Sequence, residues 1–405
     1  MKFYKYLLVS ALAFFSCTSN DEFEPIEMNA STTRIVNNSN KFSMNIFRSM
    51  NAEKTGENMV CSPLSISSLL SVILNGADGE TAQELNNALG TSGMSLQEVN
   101  ESYRQLQSDL KNVDKSTKLN LANSIWSNQV ELKKDFVRTS QKYYGAQVQT
   151  LDFSNPKSFS AIDSWANKNT NGLIPKLPSL SKNSKLILVN ALYFEGKWAE
   201  KYFKEDKTSM QEFRNSDQTK SLVKTMVTSD TLMHYYSDDM KISRLSYGNG
   251  AYEFIIAMPE HGTIDDCMDF LNQHGGLEAL HDLATVKHPI TIYIPKFDIS
   301  SHFDLIKHCQ ALGIESLFDR MKSDVPFMAE ENLFVTKAEH LVKFTMDEQG
   351  AKAAAISIAE LKETLGAANP PIRLYDPIHY DKPFLFCIME TCTKTVLFLG
   401  KIERL

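Results

Sequence analysis

Histidine is the residue type that most often carries catalysis or metal binding, and this chain has nine histidines. His302 and His308 are six residues apart and no His-Glu-x-x-His sequence occurs, so the pattern of a zinc protease is missing. The nucleophile-elbow and P-loop patterns are missing as well. Gly248-Asn249-Gly250 begins like the dinucleotide-binding pattern but lacks its last glycine, and it predicts a hairpin turn instead. The sequence therefore predicts no enzyme, no metal site and no cofactor.

Acidic pairs are the other candidate for chemistry. Asp238-Asp239 and Asp265-Asp266 lie in polar stretches, where solvated carboxylates are expected instead of a general acid and base. The formal net charge is −7 and no long run of Lys and Arg occurs. Nucleic-acid binding is therefore not expected, because it requires a basic surface.

The stretch DEQGAKAAAISIAELKETL, residues 347–365, carries two periodicities at once. At helical spacing its apolar residues share one face. At strand spacing one side carries small residues, apart from the last: Ala351, Ala353, Ala355, Ser357, Ala359 and Leu361. Lys352, Glu360 and Lys362 project from the other side. The residues by themselves leave both conformations open.

The first residues, MKFYKYLLVSALAFFSC, have the pattern of an export leader. Lys2 and Lys5 precede an apolar run, 6–15, that is too short to span a bilayer as a stable helix. Ser16-Cys17 resembles the lipobox of bacterial lipoproteins, in which the cysteine is lipidated. The alternative is ordinary signal cleavage that leaves Cys17 free.

We therefore expect a lipoprotein signal peptide over 1–16 and a lipidated N-terminus with a flexible tether over 17–40, rich in Ser, Thr and Asn. The acidic stretch NDEFE, residues 20–24, resembles the surface-export tag of Bacteroidetes lipoproteins. The predicted location is the outer membrane, anchored through Cys17, with the cell surface and the periplasm both open.

The body, 41–405, contains no linker or repeat and is predicted to be one α+β domain. Helical patterns cover 41–52, 63–76, 80–89 and 156–169. Strand patterns cover 118–127, 186–194, 252–258, 289–298, 340–346, 383–390 and 394–402. Helices early and strands late favour large antiparallel sheets.

Six segments of the body occur in the order and spacing typical of one family: NMVCSPLSISSLLSVILNGADGETAQEL, LVNALYFEGKW, YEFIIAMPE, IPKFDISSHFDLIKHCQALGIESLFD, KAEHLVKFTMDEQGAKAAA and DKPFLFCIMETCTKTVLFLGKI. Through these segments the chain resembles the serpins. The resemblance implies three β-sheets, eight or nine helices and an exposed reactive loop near residues 349–380.

The resemblance also implies a function. A target protease would cleave the loop, and the part before the cut would insert as a new strand of the large sheet, which explains the double periodicity. The expected partners are serine and also cysteine endopeptidases, inhibited by a monomeric protein. The alternative is a non-inhibitory serpin that acts as a surface binding or adhesion lipoprotein.

The serpin pattern assigns roles to three groups of residues. The loop hinge comprises Glu348, Gly350, Ala351, Ala353, Ala354 and Ala355. The insertion point comprises Lys296, as the partner of Glu348, and Trp198. The sheet-opening cluster comprises Ser62, Ser65, Asn190 and His340. Ala351 stands where inhibitory members carry Thr or Ser, and it is small enough to insert.

The scissile bond depends on how the loop is counted. Counting forward from Glu348 places it between Thr364 and Leu365, with Lys362 and Glu363 as neighbouring alternatives. Counting backward from the end of the loop places it near Arg373. We favour the forward count, because about 15 inserted residues at about 3.3 Å each span about 50 Å, a plausible sheet height.

Overall fold

The computed structural model describes residues 23–177, 180–200, 202–352 and 376–405. The helices in these residues are α1 (Ala30–Glu53), α2 (Pro63–Leu74), α3 (Gly79–Leu89), α4 (Leu96–Asn112), α5 (Lys134–Tyr144), α6 (Pro156–Asn169), α7 (Ile264–Gln273), α8 (Ala279–Asp282) and α9 (Leu305–Ala311). The strands are β1 (Met59–Cys61), β2 (Lys118–Asn128), β3 (Gln147–Leu151), β4 (Leu186–Lys197), β5 (Ser209–Arg214), β6 (Lys220–Tyr236), β7 (Met240–Tyr247), β8 (Tyr252–Pro259), β9 (Val286–Pro295), β10 (Phe297–Asp304), β11 (Lys337–Asp347), β12 (Gly350–Lys352), β13 (Ile378–His379), β14 (Phe384–Glu390) and β15 (Val396–Ile402).

Among the described residues, one large sheet has six strands in the order β10-β11-β12-β4-β2-β3. One face lies on α2, whose twelve residues are all buried. The other face packs on α6 through a smaller apolar cluster that includes Ile162, Trp165 and Leu341. The sheet is therefore covered by α2 on one face and, around Leu341, by α6 on the other.

The other strands form a nine-stranded assembly in which the long strand β6 pairs with β9 along most of its length and with β7 at its end. Because β6 pairs with β9 on one side and with β7 on the other, two of the three predicted sheets are joined into one continuous sheet. The predicted strand 289–298 is split at Lys296: Pro295 ends β9 and Phe297 begins β10 in the six-stranded sheet. The α+β architecture is confirmed.

Two local predictions can be compared directly with the structure. The turn at 248–250 joins β7 to β8 in an antiparallel hairpin, and Gly248 has φ +52°, where an added Cβ would lie 1.8 Å from an oxygen of Asp114. Cys61 and Cys387 lie in apolar runs of the sequence, which predict small core residues, and both are fully buried. Within the described part of the chain, none of the helices combines the length and apolar character needed to cross a membrane.

The first helix begins earlier than the sequence indicates. Asn29 caps α1 by accepting a hydrogen bond from the Thr32 amide at 2.8 Å, and Ile35 and Val36 are buried. The prediction of a flexible tether is therefore wrong for residues 30–40, and the predicted boundary at 41 lies inside α1. The sequence did not indicate this part of the helix, because its polar residues are buried only through partners that lie far away in the chain.

Removal of residues 30–40 tests the contribution of this part of α1. Compared with a chain that starts at Phe23, a chain that starts at Lys41 should lose about 3–6 kcal/mol of unfolding free energy, because Ile35 and Val36 lose their buried environment. Urea unfolding followed by circular dichroism measures the difference. Equal unfolding midpoints would show that these residues behave as a tether after all.

Candidate functional site

The central feature of the six-stranded sheet is a seam between β11 and β4. The two strands pair directly and in parallel only where 337–341 of β11 meet 187–191 of β4. Beyond this ladder they diverge, and the short strand β12 lies between them, antiparallel to both. The sheet is thus parted at one end and closed at the other.

Gly350 allows β12 to approach β4 closely. Its φ of +133° lies in a region that favours glycine, and an added Cβ would lie 2.1 Å from the carbonyl oxygen of Gly196. The next residue, Ala351, is buried opposite Met346 and Gly196. Gly350 and Ala351, two of the residues predicted to form the hinge, are therefore already part of the sheet.

The turn before β12 is held by a partly buried ion pair. Lys296 Nζ lies 2.5 Å from Glu348 Oε2, and the Thr208 hydroxyl donates to Glu348 Oε1 at 2.6 Å. Burial raises the pKa of the Glu348 carboxyl, but the hydrogen bonds from Lys296 and Thr208 outweigh it, so the pKa lies below its ordinary value. The predicted pairing of Glu348 with Lys296 is present.

Trp198 fixes the same turn from beneath. Its ring stacks on Tyr247 with centroids 4.5 Å apart, and its indole N–H donates to the Asp347 carbonyl at 3.1 Å. Its backbone amide donates to the Gln349 carbonyl at 3.3 Å. Trp198 therefore contacts the residues on both sides of Glu348, at the turn that precedes β12.

The predicted cluster lies on the α2 face of the closed part of the seam. His340 Nε2 accepts the Ser62 amide at 3.0 Å, so the other ring nitrogen carries the proton and donates to Asn190 Oδ1 at 2.9 Å. Asn190 in turn donates to the Ser65 carbonyl at 2.9 Å and to Asn123 at 2.7 Å. A hydrogen-bonded chain thus crosses from β11 through β4 to β2.

The cluster differs in two ways from a network of charged or hydroxyl side chains. Ser62 and Ser65 contribute backbone atoms, and their buried hydroxyls have no hydrogen-bond partner among the described residues. Burial lowers the pKa of His340 to about 3, so the imidazole is neutral at physiological pH. The link across the seam is therefore a neutral hydrogen bond between His340 and Asn190.

Sequence reasoning missed Thr208, Gly196 and Asn123. Asn123 gave a signal, because it interrupts the alternating apolar residues Leu119, Leu121 and Ile125 of the predicted strand 118–127. Thr208 and Gly196 gave none, because their roles depend on contacts with Glu348 and Gly350 from distant elements. The remaining predicted residues lie outside the described residues: Cys17, Ala353, Ala354, Ala355, Lys362, Glu363, Thr364, Leu365 and Arg373.

One class of protein has a central sheet of this kind. Its sheet is parted at one end, where the start of its own loop lies in the gap, and a short ladder closes the rest. The family model described as "Serpin (serine protease inhibitor)" matches residues 37–405. The chain belongs to the serpin family, which is described as a family of serine protease inhibitors.

Similar proteins cover nearly the whole chain. The leukocyte elastase inhibitor of Equus caballus is 28% identical over 384 residues, which cover 89% of this chain and 97% of that protein. A serine protease inhibitor of Cyanea capillata is 28% identical, covering 90% and 97%. The native thermophilic serpin Tengpin has a TM-score of 0.81 at 24% identity, covering 94% and 96%, which shows the shared fold.

The Glu348–Lys296 pair should make stability depend on pH. In Glu348→Gln we expect a loss of about 1–3 kcal/mol at neutral pH, because Lys296 is left without its carboxylate. Since the folded pKa of Glu348 lies below the unfolded value, its contribution is full above about pH 4.3 and disappears as the pH falls through the folded value.

Thermal unfolding of both proteins at about pH 7, 5 and 3 measures this dependence. Glu330→Gln is the matched control, since Glu330 also pairs with a lysine, Lys133, but its side chain is 88% exposed. A difference between Glu348→Gln and the parent that is the same at all three pH values would contradict the prediction.

Proposed function

We propose that this protein is a suicide inhibitor of serine endopeptidases, and of cysteine endopeptidases that accept the same loop. A protease cleaves the loop, and the part that precedes the cut inserts between β11 and β4 before the acyl-enzyme is hydrolysed. The observation that carries the proposal is β12, which occupies the first three positions of such a strand. No cofactor takes part.

The pairing of β12 defines a register for the rest of the strand. Lys352 faces Thr345 of β11, and Ala351 faces Gly196 of β4. One step forward along the inserted strand corresponds to one step backward along each neighbour, since both ladders are antiparallel. The strand can therefore grow from β12 without any change of register.

This register brings Ser357 opposite His340 on one side and opposite Asn190 on the other. His340 and Asn190 already face each other in the β11–β4 ladder, so the two extrapolated ladders agree. Ser357 would separate them and offer a hydroxyl in place of their mutual hydrogen bond. This agreement supports insertion of the whole segment.

The same register explains the small side chains. Ala353 would lie between Phe344 and Phe194, both of which are buried. Residues at odd positions share this face with Ser357, because strand side chains alternate. A methyl group fits between two packed rings, whereas a charged group would be buried without a partner.

The register also favours a cut at Thr364-Leu365. Glu360 would face Lys337, the first residue of β11, so four residues would extend beyond the ladder after a cut there. A cut after Arg373 would leave thirteen residues beyond the ladder. That slack would not pull the protease against the body, so Arg373 would serve as a substrate site.

The inhibitor proposal can be tested with two loop variants that differ only in the face they occupy. With trypsin, elastase, subtilisin and papain tested separately, the parent should give an SDS-stable complex with one of them and release a peptide that starts at Leu365 or a neighbour. Ala353→Glu should be cleaved at the same bond without complex, because its carboxylate would meet the buried rings. Ala354→Glu should still form complex, since residue 354 would lie between Tyr193 and the half-exposed Lys343, whose ammonium group can pair with the added carboxylate.

Gel electrophoresis with mass spectrometry reads both outcomes. Equal behaviour of the two variants would contradict the register, because insertion must distinguish the faces. If each protease cleaved the parent and left with full activity, the proposal would fail. The protein would then be assigned to the non-inhibitory alternative, a binding or adhesion protein of the cell surface.

We also propose that the mature protein is a monomeric lipoprotein anchored by Cys17 in the outer membrane, facing the surface or the periplasm. The leader and the small residue before Cys17 support this. Fatty-acid labelling in the producing cells should mark the parent and not Cys17→Ala. Equal labelling of the two would contradict the anchor.

A further inference from the structure

Strand β11 carries a buried carboxylate that insertion itself does not use. Glu339 lies in the closed part of the seam and has no exposed surface. Its Oε2 is hydrogen-bonded to Nε2 of His302 on β10, and its Oε1 lies 2.6 Å from Lys337 Nζ. Lys337 Nζ also lies 3.7 Å from Asp304 at the end of β10. A charged network therefore joins β11 to β10.

On this face of the sheet the network does not extend to β4. The β4 residues that pair with Lys337, Glu339 and Leu341 are Ile187, Val189 and Ala191. All three are buried and apolar, and they belong to the cluster that packs on α6. They can form no ion pair or side-chain hydrogen bond with the charged residues of β11.

The two sides of β11 are therefore held differently. Towards β10, β11 has eight backbone pairs, the contact of the Glu339 carboxylate with His302 and the pair of Lys337 with Asp304. Towards β4 it has five backbone pairs, crossed on the α2 face by the neutral hydrogen bond from His340 to Asn190. Charge-assisted hydrogen bonds are stronger than neutral ones, so β11 is held more firmly by β10 than by β4.

We infer that Glu339 is a positioning residue, which keeps β11 on β10 so that the sheet parts at β4 when the loop inserts. This inference rests on the proposed inhibitory function. If β11 were free to move away from both of its neighbours, the gap would lose its fixed edge. The inserting strand would then lose its register. Insertion would then be slower, and the protease would more often complete hydrolysis and leave.

His302 offers the variant that leaves Glu339 in place. Its side chain is 41% exposed, so His302→Ala removes the hydrogen bond without opening the core. His302→Gln restores a donor that reaches Glu339 and serves as the rescue. Lys343→Gln is the matched control, because Lys343 forms another β10–β11 ion pair, with Asp298 at 3.3 Å, in the half of β11 that does not pair directly with β4.

Three quantities are measured for each full-length variant: the rate of loop cleavage, the moles of inhibitor consumed per mole of protease trapped, and amide hydrogen exchange in 297–304. In His302→Ala we expect consumption to rise about threefold and exchange to rise about tenfold, with the cleavage rate unchanged. His302→Gln should return both values to those of the parent. Lys343→Gln should change neither.

Each outcome decides between the alternatives. Unchanged exchange in His302→Ala would show that the network does not hold β11 on β10 and would overturn the inference. Faster exchange with unchanged consumption would make Glu339 a structural residue only, which overturns its positioning role. A parent that traps no protease refutes the proposed function instead, and exchange then still decides whether the network anchors β11.

Discussion

The structure depends on the direction of three backbone segments in one sheet. Strands β11 and β4 are parallel, so a strand that is antiparallel to one of them is antiparallel to both. Strand β12 follows β11 after a turn of two residues, Glu348 and Gln349. The chain that leaves β11 therefore arrives in the gap with the correct direction, and further residues can be added without a crossover.

The residues around the turn and those at the closed end of the seam have separate effects. Lys296, Thr208 and Trp198 hold Glu348 and its neighbours, and Gly350 permits close contact with β4. They determine where a strand begins. The His340–Asn190 hydrogen bond lies at the other end of the gap. It opposes further separation of β11 from β4, and its neutrality keeps the strength of that opposition modest.

Buried polar groups in this sheet thus have different partners on its two faces. On the α2 face, the amide and imidazole groups bridge the seam itself. On the α6 face, the carboxylate of Glu339 is directed towards β10, while the facing side chains of β4 are apolar. A buried charge needs a partner in nearly any state of the protein. The contact of Glu339 with β10 is therefore retained, while the neutral hydrogen bonds across the seam are broken and replaced. This division allows one edge of the gap to stay fixed while the other edge moves.

The sequence by itself determined the α+β class and the alternation of small residues near Ala351, whereas the hinge and the pair at Glu348 came from the resemblance to the serpins. The class and the alternation are readable because they depend on local patterns, such as the proline that starts α2. Even the strand-compatible face of 347–365 is local, since side chains alternate along any extended chain.

Only the tertiary structure decided which partners complete these patterns. The polar character of Asn40 and its neighbours predicts a tether over residues 30–40. In the structure Asn40 is buried, and its side chain donates hydrogen bonds to Glu278 and to the Lys394 carbonyl. Thr208, Gly196 and His302 act through residues more than thirty positions away. A sequence pattern shows that a polar group can be buried, whereas its partner is known only when distant strands and helices are brought together, because an unpaired buried polar group is too costly to persist.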